Sequence, residues 1–437
     1  MRARHLAALV LSASWLPSLG CAPPAITEFD CSPEGRKAFV GQIMTDYYLW
    51  SERIPEGIDY AAFETPEQLM RELTFKELDH WSGMQQRAER QQFYDQGRFQ
   101  GLGYTLGQDR EGGLRISWVH EGSAAGRAGL DRGARILGVN GVPIEELSSG
   151  ELGAELSRER VVHRIEELDG QIHDVELEQG DVQITSVKNQ TVLETPRGPL
   201  GYLMFTTFVR PGEDELRAAF HEFQAQGVQE LVVDLRYNGG GLLRTAALLG
   251  SLIDPDAAGQ PLSIETYNEK HRDLNRRRML FETAEAIDVS RVVFLTTGRT
   301  ASASEQVING LRPYLEIAVV GEQTLGKPVG ADAWDHCNYT LAPITFHSLN
   351  ADGEGDYFSG IEPVCTEPDD LLHRLGDPDE GQLGAALRLL DGRTCGAAEP
   401  PSEEKSAAPE LDKLRAPPVR PRIELPPGKF PDLPGWY

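Results

Sequence analysis

An α/β core preceded by a small β-rich domain and an N-terminal helical domain is the fold class that three observations predict. From about Gly201 to Leu390, apolar strand runs alternate with amphipathic helices. From about Gly101 to Gly180, short strands are punctuated by glycine. From about Cys31 to Asp95, large apolar residues recur at three- and four-residue steps, as Phe39, Ile43, Tyr47 and Trp50 do. The expected boundaries are 1–20 for an export signal, 21–95 for the helical domain, 96–180 for the β-rich domain, 181–395 for the core and 396–437 for a tail.

Each element has its own signal. In the β-rich block the strands are Leu114–Val119, Arg135–Val139, and the pair Val162–Glu167 and Ile172–Glu178 around the turn Asp169-Gly170. One amphipathic helix, Ser149–Arg158, interrupts them. In the core, Gly201–Phe208 and Glu230–Leu235 read as strands flanking a helix, Glu213–Gln226, with Leu216, Phe220 and Phe223 on one face. Leu242–Ile253, Val292–Thr297, a helix from Ala303 and Ile317–Val320 continue the alternation. The tail from Gly396 holds 10 of the 28 prolines and has too little apolar content for a packed core.

Composition excludes some functions. The 437 residues carry 42 Lys plus Arg against 68 Asp plus Glu, a net charge of −26, which argues against nucleic acid as a partner. The one dense basic run, Arg276-Arg277-Arg278, is expected on a solvated helix face. Beyond the first 20 residues no stretch is long and apolar enough to span a bilayer.

At the N-terminus, Arg2 and Arg4 precede an apolar run from Leu6 to Leu19 and then Gly20-Cys21, the form of an export signal. Leu-Gly-Cys resembles the lipobox of bacterial lipoproteins, which implies acylation of Cys21, although Ser18 stands where that box has an aliphatic residue. Ordinary cleavage nearby is the alternative. Ala22 carries no aspartate retention cue, so a lipoprotein would be anchored to the outer membrane, where the cell has one, facing the periplasm. Four cysteines then remain in an oxidising compartment, Cys31, Cys337, Cys365 and Cys395, and three pairings are open. Cys337 with Cys365, and Cys31 with Cys395, is the favoured set, because the first two share a segment and the others flank the folded part. No metal-binding spacing of Cys or His occurs, and no cofactor is expected.

Three signatures carry chemistry. The first is Gly101-Leu102-Gly103-Tyr104, followed by Glu121-Gly122-Ser123-Ala124-Ala125 and Ile136-Leu137-Gly138-Val139-Asn140-Gly141. It resembles a PDZ domain, whose glycine loop offers backbone N–H groups to a peptide carboxylate while the peptide adds a strand to the sheet. Gly101, Gly103 and Gly107 are spaced one residue too widely for a dinucleotide loop. The second is Asp234-Leu235-Arg236-Tyr237-Asn238-Gly239-Gly240-Gly241, and the third is Thr300-Ala301-Ser302-Ala303-Ser304-Glu305 with Thr324-Leu325-Gly326-Lys327 downstream.

Taken together, and with Tyr48-Leu49-Trp50 and Trp81-Ser82, these motifs resemble the C-terminal-processing, or tail-specific, serine peptidases over about residues 35–390. The resemblance implies a core of the ClpP/crotonase-like α/β type with a PDZ domain ahead of it. It implies Ser302 as nucleophile, Lys327 as general base, and the amides of Ala303 and Gly240 as oxyanion donors. It also implies protein or peptide substrates with free C-termini, engaged by Gly101, Leu102, Gly103 and Tyr104.

The residue types suit that chemistry independently. A serine hydroxyl needs a base to take its proton, and a lysine serves only when burial has neutralised it. Ser302-Ala303-Ser304-Glu305 is also a capping box, which accounts for the serine without catalysis. Ala331 stands four residues after Lys327, where the family often has a polar residue, and Asp332, Asp335 or a backbone carbonyl is the candidate to orient the lysine instead. Competing functions are a catalytically silent peptide-binding scaffold and a non-protease hydrolase, the latter disfavoured because no Gly-x-Ser-x-Gly occurs.

Overall fold

The structure is a computed structural model that describes residues 29–395, so Cys21, the expected export signal and the proline-rich tail lie outside the described residues. Helix Pro33–Tyr47 is capped by Ser32, whose Oγ accepts from Gly35 N, and helix Pro66–Leu73 by Thr65 in the same way. Both open on proline, which has no N–H to leave unpaired there. Phe39, Val40, Ile43, Met44, Tyr48, Leu69 and Leu73 pack with Val329, Leu341 and Ile344, from strands just beyond Lys327. The helical block therefore shares a core with the chemistry-bearing part of the chain.

The β-rich block forms a sheet in the order Tyr104–Gln108, Leu114–Val119, Arg135–Val139, Arg160–Glu166, Ile172–Glu178, with Val142–Pro143 beside the third strand. Tyr104–Gln108 lies at an edge of that sheet. Gly170 sits at φ +83° in the expected turn. The helix runs Ser149–Leu156, two residues shorter than its periodicity suggests, and Ser148 and Glu151 cap it reciprocally.

The core sheet is ordered Val187–Thr195, Gly198–Phe205, Glu230–Asp234, Arg291–Thr296, Glu316–Gly321, Cys365–Thr366. Its first pair is antiparallel and the others are parallel. Helices Gly212–Ala225, Leu243–Ile253 and Ala303–Leu311 cover one face through Phe220, Leu249 and Ile308, while Gly381–Leu390 covers the other through Leu383 and Ala386. Burial on both faces explains why the parallel strands read as unbroken apolar runs. A second sheet, ordered Arg276–Met279, Pro261–Tyr267, Ile344–Leu349, Val329–Ala331, sits beside helix Ala303–Leu311.

Two expectations need correction. The disulfides are Cys31–Cys337 and Cys365–Cys395, not Cys337–Cys365 and Cys31–Cys395. Cys337 forms the turn between Trp334–His336 and Tyr339–Ala342, whose sheet packs against the helical block where Cys31 begins. Cys365 instead lies on the edge strand of the core sheet, next to the end of helix Gly381–Leu390. The arginine run is a strand rather than a helix. Residues two apart share a strand face, and Arg276 and Arg278 both pair with the buried carboxylate of Glu265.

Candidate active site

Strand Glu230–Asp234 delivers the glycine loop. Arg236 is fully buried and pairs with Asp234, Glu380 and Asp369, which fixes the backbone immediately before the turn. Tyr237 then adopts φ +62°. Asn238 ties the loop down: its Nδ2 donates to Phe205 O at 2.7 Å, and its carbonyl accepts from Ala301 N at 3.1 Å and Ser304 Oγ at 2.9 Å. Gly240 has φ +103°, and a Cβ there would lie 2.8 Å from Ser302 Cβ. Only glycine fits such an approach.

Ser302 precedes helix Ala303–Leu311 with φ +56° and ψ −116°, a conformation that costs a non-glycine residue about 1–3 kcal/mol. Glu305 compensates. Its fully buried carboxylate accepts from Ser302 N at 2.8 Å, as the capping-box reading expects. It also accepts from Thr324 Oγ1, Gly326 N and Lys327 N at 2.5, 2.7 and 2.8 Å. One carboxylate thus holds the serine turn and the lysine loop together. Burial pushes its pKa up, and these hydrogen bonds pull it back.

Lys327 is 7% exposed, and burial lowers its pKa to about 8, against the opposing charges of Asp79 and Glu305. Asp79 is held by Tyr48 Oη at 2.8 Å and by the amides of Trp81 and Ser82, both at 2.9 Å. Lys327 Nζ lies 5.9 Å from the centre of the Trp81 ring. Ser302 and Lys327 line one cleft of about 350 Å³, together with Trp81, Gly241, Arg276 and Ala331. Among the described residues no hydrogen bond joins Lys327 Nζ to Ser302 Oγ. Asp332 is engaged by Tyr267, Thr345 and Arg276, and Asp335 by Thr340, so neither orients the lysine.

The structure thus brings Ser302, Ala303, Lys327 and Gly240 together. Gly240 N–H, however, donates to Asn238 Oδ1 at 2.9 Å and is not free to receive an oxyanion. Gly241, at φ +136° in the cleft wall, has an N–H with no hydrogen bond among the described residues, as does Ala303. Asp79 had no signal in the sequence beyond its place beside Trp81-Ser82. Glu305 was legible only as a cap.

Some 200 residues earlier in the chain, Gly103 sits at φ +87° with its α-carbon against Ser123. The N–H groups of Leu102 and Gly103 make no hydrogen bond among the described residues, and Tyr104 Oη pairs with His163 Nε2 at 2.6 Å. Three arginines join this domain to the core, Arg110 through Glu367 at 2.7 Å and two more deeply set ones. Arg132 donates to Tyr237 Oη at 2.9 Å and Asp369 Oδ1 at 2.8 Å, and Arg299, three residues before Ser302, donates to Leu106 O at 2.6 Å.

An α/β core with a serine at a helix start, a buried lysine and an inserted PDZ-type domain defines a class of serine-type peptidase. The chain belongs to peptidase family S41: that family's pattern matches residues 199–363, its N-terminal domain residues 36–83, and a PDZ domain residues 115–165. A Synechocystis carboxyl-terminal-processing protease is 26% identical over 68% of this chain and 69% of its own length. Carboxyl-terminal-processing peptidase 3 of Arabidopsis thaliana is 27% identical over 53% of this chain and 46% of its own length. The carboxy-terminal processing protease CtpA of Bacillus subtilis is 25% identical over 61% and 55%. The chain thus spans about half the length of the latter two. A Bacteroides fragilis protein solved as an S41 protease superposes with a TM-score of 0.66 at 26% identity, covering 81% of this chain and 97% of that one.

Proposed function

We propose that the protein is an extracytoplasmic serine endopeptidase that uses Ser302 as nucleophile and Lys327 as general base. The observation that carries this reading is the buried lysine, its pKa lowered to about 8, lining one cleft with a serine held at φ +56° by Glu305. Lys327 takes the proton of Ser302 Oγ as that oxygen attacks the substrate carbonyl carbon, then gives it to the departing amine. Water attacks the resulting ester by the same route in reverse. The amides of Ala303 and Gly241 face the developing oxyanion, and the helix start favours its charge. The serine–lysine separation closes on the bound peptide, as catalytic hydrogen bonds commonly do.

The PDZ domain engages substrate C-termini through the free amides of Leu102 and Gly103, the peptide lying along the edge strand Tyr104–Gln108. A lipid on Cys21 places the enzyme on the periplasmic face of the outer membrane, which mass spectrometry of the mature N-terminus checks. Incubating the protein with an unfolded substrate tests the chemistry: cleavage by the native chain, and none by Ser302→Ala, is the expected result. A native chain that cleaves nothing would mark a peptide-binding scaffold.

A further inference from the structure

Lys327 enters the site from the loop that leads into strand Val329–Ala331, and the residues after it supply no partner for its amine. Ala331 is apolar, Asp332 and Asp335 are engaged elsewhere, and Nζ makes no hydrogen bond among the described residues. A general base needs its lone pair aimed, and aiming requires an acceptor for one of its N–H bonds.

An acceptor without a donor lies next to it. Gln306 is 4% exposed, and its Oε1 is buried with no hydrogen-bond partner among the described residues. Its Nε2 donates to Ser348 Oγ at 2.9 Å, and Ser348 N donates to Pro328 O at 2.8 Å. The carboxamide is therefore tied to the backbone one residue beyond Lys327. Gln306 also lies four residues after Ser302, one turn along the nucleophile helix and on the same side. Ser302, Gln306, Lys327 and Ser348 together line a cavity of about 10 Å³, room for roughly one water molecule.

We propose that Gln306 is the positioning residue for Lys327: its Oε1 accepts a hydrogen bond from Nζ and turns the nitrogen lone pair towards Ser302 Oγ. The inference rests on the serine–lysine reading above. It replaces a group on the strand that follows the lysine with one on the nucleophile's helix, so a single helix carries the nucleophile, its backbone anchor Glu305 and the orienter of its base. A carboxamide suits the task because it accepts a hydrogen bond without the negative charge that would keep the lysine protonated. The ionisable groups facing Lys327 are Asp79 and Glu305, then Tyr357 at the small cavity, and Asp332, Arg90, Tyr94, Arg244, Arg276 and Arg278 around the cleft.

The test is kcat and KM against pH, on one unfolded substrate, for native protein, Gln306→Leu, Gln306→Glu and Gln306→Leu/Ala331→Gln. Leucine at 306 is expected to lower kcat roughly 10- to 100-fold with KM little changed. It also moves the acid limb to lower pH, because the ammonium form loses an acceptor. Glutamate moves that limb to higher pH, with activity recovered in alkali. The double variant, which puts an acceptor four residues after the lysine, regains part of the lost kcat. Equal losses at every pH with the limb unmoved would assign Gln306 a purely structural role and overturn the proposal, as would a leucine variant with native kcat and limb. If the leucine variant fails to fold, as read by circular dichroism, the direction of the limb in Gln306→Glu decides. An inactive native protein overturns the catalytic reading and this inference with it, whereas an active one with an unmoved limb overturns the inference alone.

Discussion

The loops Gly101–Tyr104 and Asn238–Gly241 use the same local device, glycines at positive φ beside backbone amides that make no hydrogen bond among the described residues, but they are supported differently. The first leans on Ser123, whose Oγ donates to Gly103 O at 3.2 Å, and its strand stands at a sheet edge. The second is held by Asn238, by the buried Asp234–Arg236–Glu380 pairs and by direct contact with Ser302. In the proposed reading the first receives a carboxylate that exists before binding, and the second an oxyanion that exists only in passage. A stable anion tolerates a compliant receptor. A transient one is stabilised only by donors already in place.

The sharpest break of the comparison is at the catalytic end. Ser302→Ala and Lys327→Ala should each lower kcat by on the order of 10⁴- to 10⁶-fold, and the double change by little more, because nucleophile and base act as one unit. Binding of a peptide C-terminus to the other loop should be unchanged, as titration calorimetry would show. Activity should also rise with pH through about 8 and level off above it. Burial lowers the lysine's pKa and only its neutral form accepts the serine proton, so each pH unit below that value costs roughly tenfold. A flat profile from pH 6 to 9 would contradict the lysine's role.

Gly240→Ala and Gly103→Ala compare the two loops at their tightest points. At 240 a Cβ would meet Ser302 Cβ at 2.8 Å and Ala303 N at 2.9 Å, so Ser302 itself must move. A kcat loss of about 10²- to 10³-fold is expected there. At 103 a Cβ would meet Ser123 Cβ at 1.9 Å, and the strain falls on the carboxylate loop. The expected result is a KM raised about tenfold, the equivalent of 1.4 kcal/mol, with kcat retained. Amidating the peptide's C-terminus should weaken its binding to the native protein and have little effect on the Gly103 variant.

The same contrast explains what was legible in the sequence. The PDZ loop, the glycine run, Ser302 and Lys327 announce themselves because each is a short motif beside a strand or helix of plain periodicity. The partners that hold them come from far away in the chain. Asp79 reaches the lysine from 248 positions earlier, and Glu305 bridges two loops that its capping pattern does not connect. The glycine run implies a free amide at Gly240, because the sequence cannot show Asn238 folding back to occupy it. The cysteine pairing went astray for a related reason. Cys337 and Cys365 are near in sequence but belong to different sheets, and only the packing of the helical block on the Cys337 hairpin brings Cys31 there. Arg276–Arg278 shows the limit of composition, since a charged run is a solvated face only if no buried carboxylate waits across the strand.

The smallest expected effect separates the two serines of Ser-Ala-Ser-Glu. Ser304 is fully buried, and its Oγ donates to Asn238 O at 2.9 Å, stitching helix Ala303–Leu311 to the glycine run. Removing that hydroxyl in Ser304→Ala deletes one hydrogen bond and leaves a cavity no larger than one oxygen. The abandoned carbonyl keeps its other donor, Ala301 N at 3.1 Å, so no buried acceptor is left unpaired. The loss should therefore sit near the ordinary net value for one hydrogen bond, about 1 kcal/mol of stability. Chemical denaturation would read this as a shifted midpoint with an unchanged slope. Hydrolysis should fall less than tenfold, because Asn238 remains held by Phe205 O and by the Ala301 amide. If Ser304→Ala instead abolished hydrolysis while Ser302→Ala left it, Ser304 would be the nucleophile. The positive-φ turn at Ser302 would then serve only to begin the helix.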